Sequence, residues 1–229
     1  MTVSSGAPRI IAMIPARLGS QRLKQKNLLE IDGVPLYTRA LRKVKDLPCF
    51  AEVWANSEAD QIGDLARAEG VPFHKRPESL GSHTATSEDF VYEFLMAHPC
   101  DYLVQVHSIA PLLTRDEITR FTEALVSGGH ETLLSGVNEQ IQCMMADEPL
   151  NFSRTLMDMT QELVPIQRIS WSLTGWRRDS YIATYEAREC ATFHGRMGFF
   201  NLRRPSGLVI KYEEDYEMVC AMAAAGIGD

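Results

Sequence analysis

No run of about 18 consecutive apolar residues occurs in the 229-residue chain, so no membrane-spanning helix is expected. The opening stretch "MTVSSGAPR" lacks an apolar segment of signal-peptide length, and a cytoplasmic location is expected. Cys49, Cys100, Cys143, Cys190 and Cys220 are odd in number and widely spread, with no CxxC pair; neither a disulfide framework nor a zinc site is indicated. The formal net charge of −7 gives no reason to expect a general nucleic-acid or anionic-membrane binder, because such proteins need a basic face to displace counterions. A GxxxxGK[ST] loop is missing, and no GxGxxG follows the first apolar segment, so the phosphate loop of many ATPases and the dinucleotide fingerprint both lose their support. Internal repeats and low-complexity tracts are absent too.

What is present is an alternation of apolar segments and amphipathic ones. Arg9 to Ile14 reads as a strand buried on both faces, and Leu36, Ala40, Leu41 and Val44 mark a helix opened by Pro35. "AEVWA" reads as a strand, "SEADQIGDLARAEG" as a helix capped by Ser57, and "VPFHK" as a short strand. A helix near Ser87 to Ala97, the strand "DYLVQVH", a helix announced by the Thr114/Glu117 capping box and the strand "TLLSGV" follow. The order predicts one α/β domain over 1–229 with a mostly parallel sheet, whose ligands sit at the carboxyl ends of the strands. Between about Asn138 and Phe193 the alternation fades, and 138–195 is read as an inserted lobe and candidate dimer contact. "GRMGFFNL" and "YEEDYEMVCAMAAAG" return to strand and helix.

The first strand runs into a turn crowded with Arg17, Arg22, Lys24 and Lys26, with no acid before Glu30. A phosphate chain is the ligand that most needs such a turn: Gly19 and Ser20 let backbone N–H groups approach oxygen, and the cations neutralise several charges. A solvated basic loop is the competing reading.

"IPARLGSQRLKQKNL" resembles the signature of the CMP-sugar synthetases, the acylneuraminate and 3-deoxy-manno-octulosonate cytidylyltransferases. "KRPESLGSHTATS", "APLLTRDEI" and "EEDYEMV" are similar to later segments of the same family. The resemblance implies a three-layer, Rossmann-like nucleotide-diphospho-sugar transferase fold, commonly dimeric, that joins CTP to a small acidic sugar and releases pyrophosphate. It assigns Arg17 to the leaving phosphates, Lys26 to a phosphate as a point charge, and Asn27 to the loop or the nucleotide. Ser20, Gln21 and Arg22 belong to the same cradle, and Arg76 and Ser87 match nucleotide-contacting positions. His107 stands where the family often has a sugar-touching glutamine. Each also has a plainer reading: Asn27 as a turn, Ser87 as a helix cap, Arg76 as an exposed strand end and His107 as a structural histidine.

The chain departs from the family where metal is concerned. Val209 and Lys211 occupy the positions of two family aspartates, and Ile109 aligns with a third, so the usual oxygen ligands for Mg²⁺ are replaced. Either Lys211 supplies charge in place of a cation, with Mg²⁺ carried by the triphosphate, or a silent nucleotide-binding shell remains. The family's sugar-facing "NGAIY" is replaced by "TGWRRDS", in which Gly175 survives and Trp176, Arg177 and Arg178 are new. Facing the cleft, Gly175 and Arg177 would touch the substrate, and the arginine pair would suit a phosphonate or other small acid; on the surface, the pair would be a subunit contact.

Overall fold

The computed structural model describes residues 6–19, 22–82, 84–157 and 159–228. Strands β1 (Ile10–Pro15), β2 (Glu52–Ser57), β3 (Phe73–Lys75), β4 (Tyr102–Val106), β5 (Thr132–Glu139), β6 (Ile166–Arg177) and β7 (Met197–Asn201) form one seven-stranded sheet, in the order β7-β5-β6-β4-β1-β2-β3. All pairings are parallel except those of β6, which runs antiparallel to both β4 and β5.

β1 is apolar throughout because both of its faces are covered. Ile10, Ala12 and Ile14 pack with helices α1 (Leu36–Val44), α2 (Asp60–Ala68) and α4 (Arg115–Ser127), while Ile11 and Met13 face α3 (Ser87–Ala97) and α5 (Arg178–Glu186). Burying each such side chain contributes about 1.5–3 kcal/mol, which fixes the three-layer arrangement. A smaller cluster beneath α6 (Glu213–Ala224) joins Ile210 and Val219 to Leu36 and Leu112.

α4 begins as its sequence predicts: the Thr114 hydroxyl accepts from Glu117 N, and the Glu117 carboxylate accepts from Thr114 N. α2 starts later than expected. Ser57 ends β2, where its hydroxyl accepts from Ala59 N and shapes the turn that precedes the helix.

The expected lobe is smaller than 138–195. β6 lies inside the sheet, and α5 packs on α3, so 166–186 belongs to the main body. Its period was obscured because β6 carries a register shift between Ile169 and Thr174 in its pairing with β5, which breaks the alternation. Among the described residues, the segment between β5 and Ile166 carries exposed apolar side chains at Met144, Met145, Leu156, Met157 and Val164.

Candidate active site

From β1 the chain proceeds outward to β2 and β3 on one side, and β4 lies on the other. The ends of β1 and β4 therefore form the switch point at which sheets of this kind hold ligands. A cavity of about 370 Å³ opens there.

The loop after β1 is fixed from beneath. The Tyr37 hydroxyl donates to the Ile14 carbonyl at 2.8 Å, and Ala16 N donates to Asn56 O at 2.9 Å. Gln25 takes a left-handed conformation, φ 49°, that turns the chain into a short 3₁₀ segment, Lys26–Leu28. Asn27 is buried there: its Nδ2 donates to the Arg17 carbonyl at 3.0 Å, and its Oδ1 accepts from Ser108 Oγ at 2.8 Å. Asn27 thus holds the loop, and both of its side-chain ends are occupied by protein.

Arg17, Arg22, Lys26 and Lys211 all line the cavity. Lys24 does not, and it is exposed. Burial and the neighbouring charges of Arg22, Arg17 and Lys211 press the Lys26 pKa below its ordinary value. These cations repel one another in the ligand-free protein, as a site shaped for a polyanion must. Ser20 and Gln21 lie outside the described residues.

Arg76 is 2% exposed and is not the exposed strand end that its sequence position allows. One terminal nitrogen donates to Asn56 Oδ1 at 2.8 Å; the other donates to the Ala16 carbonyl at 2.9 Å and to Glu58 Oε2 at 2.7 Å. Its guanidinium carbon lies 4.6 Å from the centre of the Phe90 ring. Nε is buried without a partner among the described residues, and Arg76 as a whole forms part of the cavity wall. Glu58 also accepts from Leu18 N at 3.4 Å and so connects Arg76 to the basic loop.

Ser87 lines the cavity, and the helix cap is its neighbour Thr86, whose hydroxyl accepts from Asp89 N. The Ser87 hydroxyl is thus spared that duty at the start of an eleven-residue helix. His107 follows β4 into the wall; its Nε2 is buried without a partner among the described residues, and burial together with Lys26 holds its pKa down to about 4. It is neutral at physiological pH.

Gly175 and Arg177 are not brought to the cavity. Because β6 is antiparallel to β4, Leu173 pairs with Val106 at the site end, whereas Arg177 pairs with Tyr102, about 13 Å away at the opposite edge. Gly175 is a packing residue: a Cβ there would lie 2.6 Å from Leu125 Cδ2 and 3.1 Å from Phe121 Cε1. Arg178 is likewise structural, its Nε donating to the Leu95 carbonyl at 3.1 Å.

The part of β6 that does reach the cavity is Trp171. It has φ 62°, a strained backbone for an aromatic residue costing about 1–3 kcal/mol, which surrounding structure must enforce. Ser135 supplies part of that, since its hydroxyl exchanges 2.8 Å hydrogen bonds with the N–H and carbonyl of Leu173. The Ser172 hydroxyl donates to the Ser206 carbonyl at 2.8 Å. No periodicity announces such a bulge. Gln105, Ser108 and Phe90 at the wall, like Asn56 and Glu58 behind Arg76, were also not singled out, because each belongs to an ordinary strand, helix or turn pattern.

Val209, Lys211 and Ile109, the positions of the replaced aspartates, all reach the cavity wall. The described lining contains no carboxylate. Asp215, whose carboxylate lies against the Lys211 backbone, is committed to the helix start, accepting from Lys211 N at 2.8 Å and Tyr212 N at 2.9 Å. Mg²⁺ is held by oxygen ligands, chiefly carboxylates, and this donor set does not fit a protein-bound one. Among the described residues no cluster of three or more His, Cys, Asp or Glu is placed to hold a metal.

Comparison with known proteins agrees with this geometry. The chain is 30% identical over 129 residues to N-acylneuraminate cytidylyltransferase A of Danio rerio, a match covering 56% of this chain and 30% of that protein. It is 27% identical over 170 residues to pseudaminic acid cytidylyltransferase of Campylobacter jejuni, covering 66% of this chain and 72% of that one. The chain spans about a third of the length of the first of these relatives. In fold it matches a CMP:2-keto-3-deoxy-manno-octonic acid synthetase solved with CTP, with a TM-score of 0.72 at 16% identity over 95% of this chain and 99% of that one. It also matches a 4-diphosphocytidyl-2C-methyl-D-erythritol synthase of Anaerococcus prevotii, with a TM-score of 0.70 at 14% identity over 95% and 96% of the two chains. The family model described as "Cytidylyltransferase" matches residues 11–203, and the chain belongs to that family.

Proposed function

We propose that the protein transfers the cytidylyl group of CTP to a hydroxyl of an acidic sugar of the nonulosonate or octulosonate type. The observation that carries this reading is the set of converging cations, Arg17, Arg22, Lys26 and Lys211, in a cavity whose described lining holds no acid. The acceptor hydroxyl oxygen attacks the α-phosphorus and gives up its proton to water, the bond from that phosphorus to the α–β bridging oxygen breaks, and pyrophosphate leaves with the electron pair. Little covalent chemistry is asked of the protein. It positions two reactants in line and stabilises charge on the phosphoryl oxygens and the leaving group.

In this reading Arg17 and Lys26 bind the departing phosphates, with Ser20, Gln21 and Arg22 completing the cradle. Arg76 and the Ser87 hydroxyl meet the nucleoside. Neutral His107 meets the acceptor, and Lys211 supplies positive charge where the lining offers no metal ligand. Magnesium then enters on the nucleotide and is not held by the protein. The phosphonate alternative loses one of its two motives, since Arg177 and Arg178 lie away from the cavity, and keeps the other, the replaced metal carboxylates. A homodimer formed through the segment before Ile166 is part of the proposal, supported by the exposed apolar side chains Met144, Met145, Leu156, Met157 and Val164 that it carries. A cytoplasmic location is also part of the proposal, and the unpaired described cysteines are compatible with it.

The test is pyrophosphate release by the purified protein with each nucleoside triphosphate and a panel of acidic sugars, with and without Mg²⁺. Product with CTP alone is expected. Saturable CTP binding without turnover on any acceptor would instead identify a silent nucleotide-binding protein.

A further inference from the structure

Trp171 is the aromatic residue that β6 delivers to the cavity, and it does so at a backbone conformation that glycine adopts freely and tryptophan does not. Trp171 is partly buried and partly open, and its aromatic neighbour among the described residues is Phe193, 5.7 Å away between centroids. The elements that enforce the bulge are buried serines, Ser135, Ser170 and Ser172, whose hydrogen bonds run to backbone and to one another and do not involve the indole. A strained residue kept by such a frame, with its ring in a cavity, indicates a ligand contact.

Which ligand follows from the sheet order. Arg76 follows β3, whereas Trp171 lies on β6, and β4, β1 and β2 stand between, about 19 Å at the level of the strands. The basic loop after β1 occupies the middle. With the nucleoside on the Arg76 side and the phosphates at the centre, the indole is on the flank left for the acceptor. The Ser172 carbonyl accepts from His107 N at 3.1 Å, so this flank is tied to the backbone of the histidine.

We propose that Trp171 is a specificity-determining residue, a stacking face for the apolar C–H side of a sugar-ring acid whose carboxylate is turned toward the cations. This rests on the cytidylyl-transfer reading above. The face excludes acceptors without an apolar ring side, and the backbone strain is retained for binding at the expense of stability.

Trp171→Gly and Trp171→Phe are compared with the unaltered protein, each labelled with 5-fluorotryptophan where tryptophan remains. 3-Deoxy-manno-octulosonate and an N-acylneuraminate are titrated with and without CTP, followed by calorimetry and fluorine NMR. The expected result is a Trp171 resonance that moves with an acid and not with CTP. Trp171→Gly should have an unchanged or higher Tm, acid affinity weakened about tenfold or more and CTP affinity within twofold, with Trp171→Phe intermediate. A lower Tm in Trp171→Gly would show the indole to be structural and overturn the proposal. So would unchanged acid binding, no response of the Trp171 resonance to either acid, or a response to CTP alone. Failure of CTP to bind strikes only at the cytidylyl-transfer reading, since the response to the acids is measured without it.

Discussion

Ser108 Oγ donates to Asn27 Oδ1 at 2.8 Å, across 81 residues of chain, and so ties the loop after β4 to the loop that carries Arg17 and Lys26. Removing the asparagine side chain frees both loops at once. Asn27→Ala is expected to lower stability by about 1–3 kcal/mol, because the Arg17 carbonyl and the Ser108 hydroxyl lose their partner. Ser108→Ala should cost less, and the double substitution less than the sum of the two, since they share one interaction. Urea unfolding of the four proteins measures this, and strict additivity would contradict it.

Lys26 should trade stability for binding. Its folded pKa is lowered by burial and by Arg22, Arg17 and Lys211, so its charge opposes folding at neutral pH. Raising the pH through that lowered value toward the ordinary 10.5 relieves this opposition, and stability should rise across that window. Lys26→Met should therefore raise Tm in the free protein and weaken CTP binding by about tenfold or more, a charge-assisted contact being about 1.5–3 kcal/mol. Scanning calorimetry and CTP titration together check both signs.

His107 makes the protein acid-sensitive. An unfolded histidine takes up its proton near 6.5, and the folded one only near 4, so the contribution is complete above 6.5 and lost as pH falls toward 4. The loss is about 3 kcal/mol for this group. His98, also held near 4 by burial and His74, adds to the same window. His107→Gln should flatten the Tm-against-pH curve between pH 6.5 and 4 without abolishing its slope; a curve parallel to the original would refute the assignment.

Lys211→Asp places a carboxylate in a lining that has none among the described residues. If the lysine stands in for a cation, turnover by the variant should fall at low Mg²⁺ and recover steeply as Mg²⁺ is added. An identical Mg²⁺ profile for both proteins would remove that role.

Gly175→Ala tests the reassignment of β6. The new methyl group meets Leu125 and Phe121, so a stability loss of about 1–3 kcal/mol is expected, with KM for CTP and acceptor unchanged. Arg177→Ala, on the exposed far edge, should alter stability by less than about 0.5 kcal/mol. A raised acceptor KM in either variant would return that end of the strand to the site.

Much of this arrangement is legible in the chain itself. The apolar run of β1, the Thr114 capping box and the alternation of periods specify an α/β sheet, because burial on two faces and helix capping are local demands that local residues must meet. The basic turn is legible for the same reason: Arg17, Arg22 and Lys26 are neighbours in sequence, and a loop cannot separate them.

Tertiary structure decided the rest. Whether Arg76 is exposed or buried depends on Asn56, Glu58 and Ala16, which meet it only when β2 and β3 pair. Whether Gly175 or Trp171 enters the cavity depends on a bulge and on an antiparallel strand, since one shift in register exchanges the two faces of a strand and its direction decides which end meets the ligand. Charge and period are properties of a segment and can be read from it. Direction, register and burial belong to pairs of segments, and only the folded chain brings those pairs together.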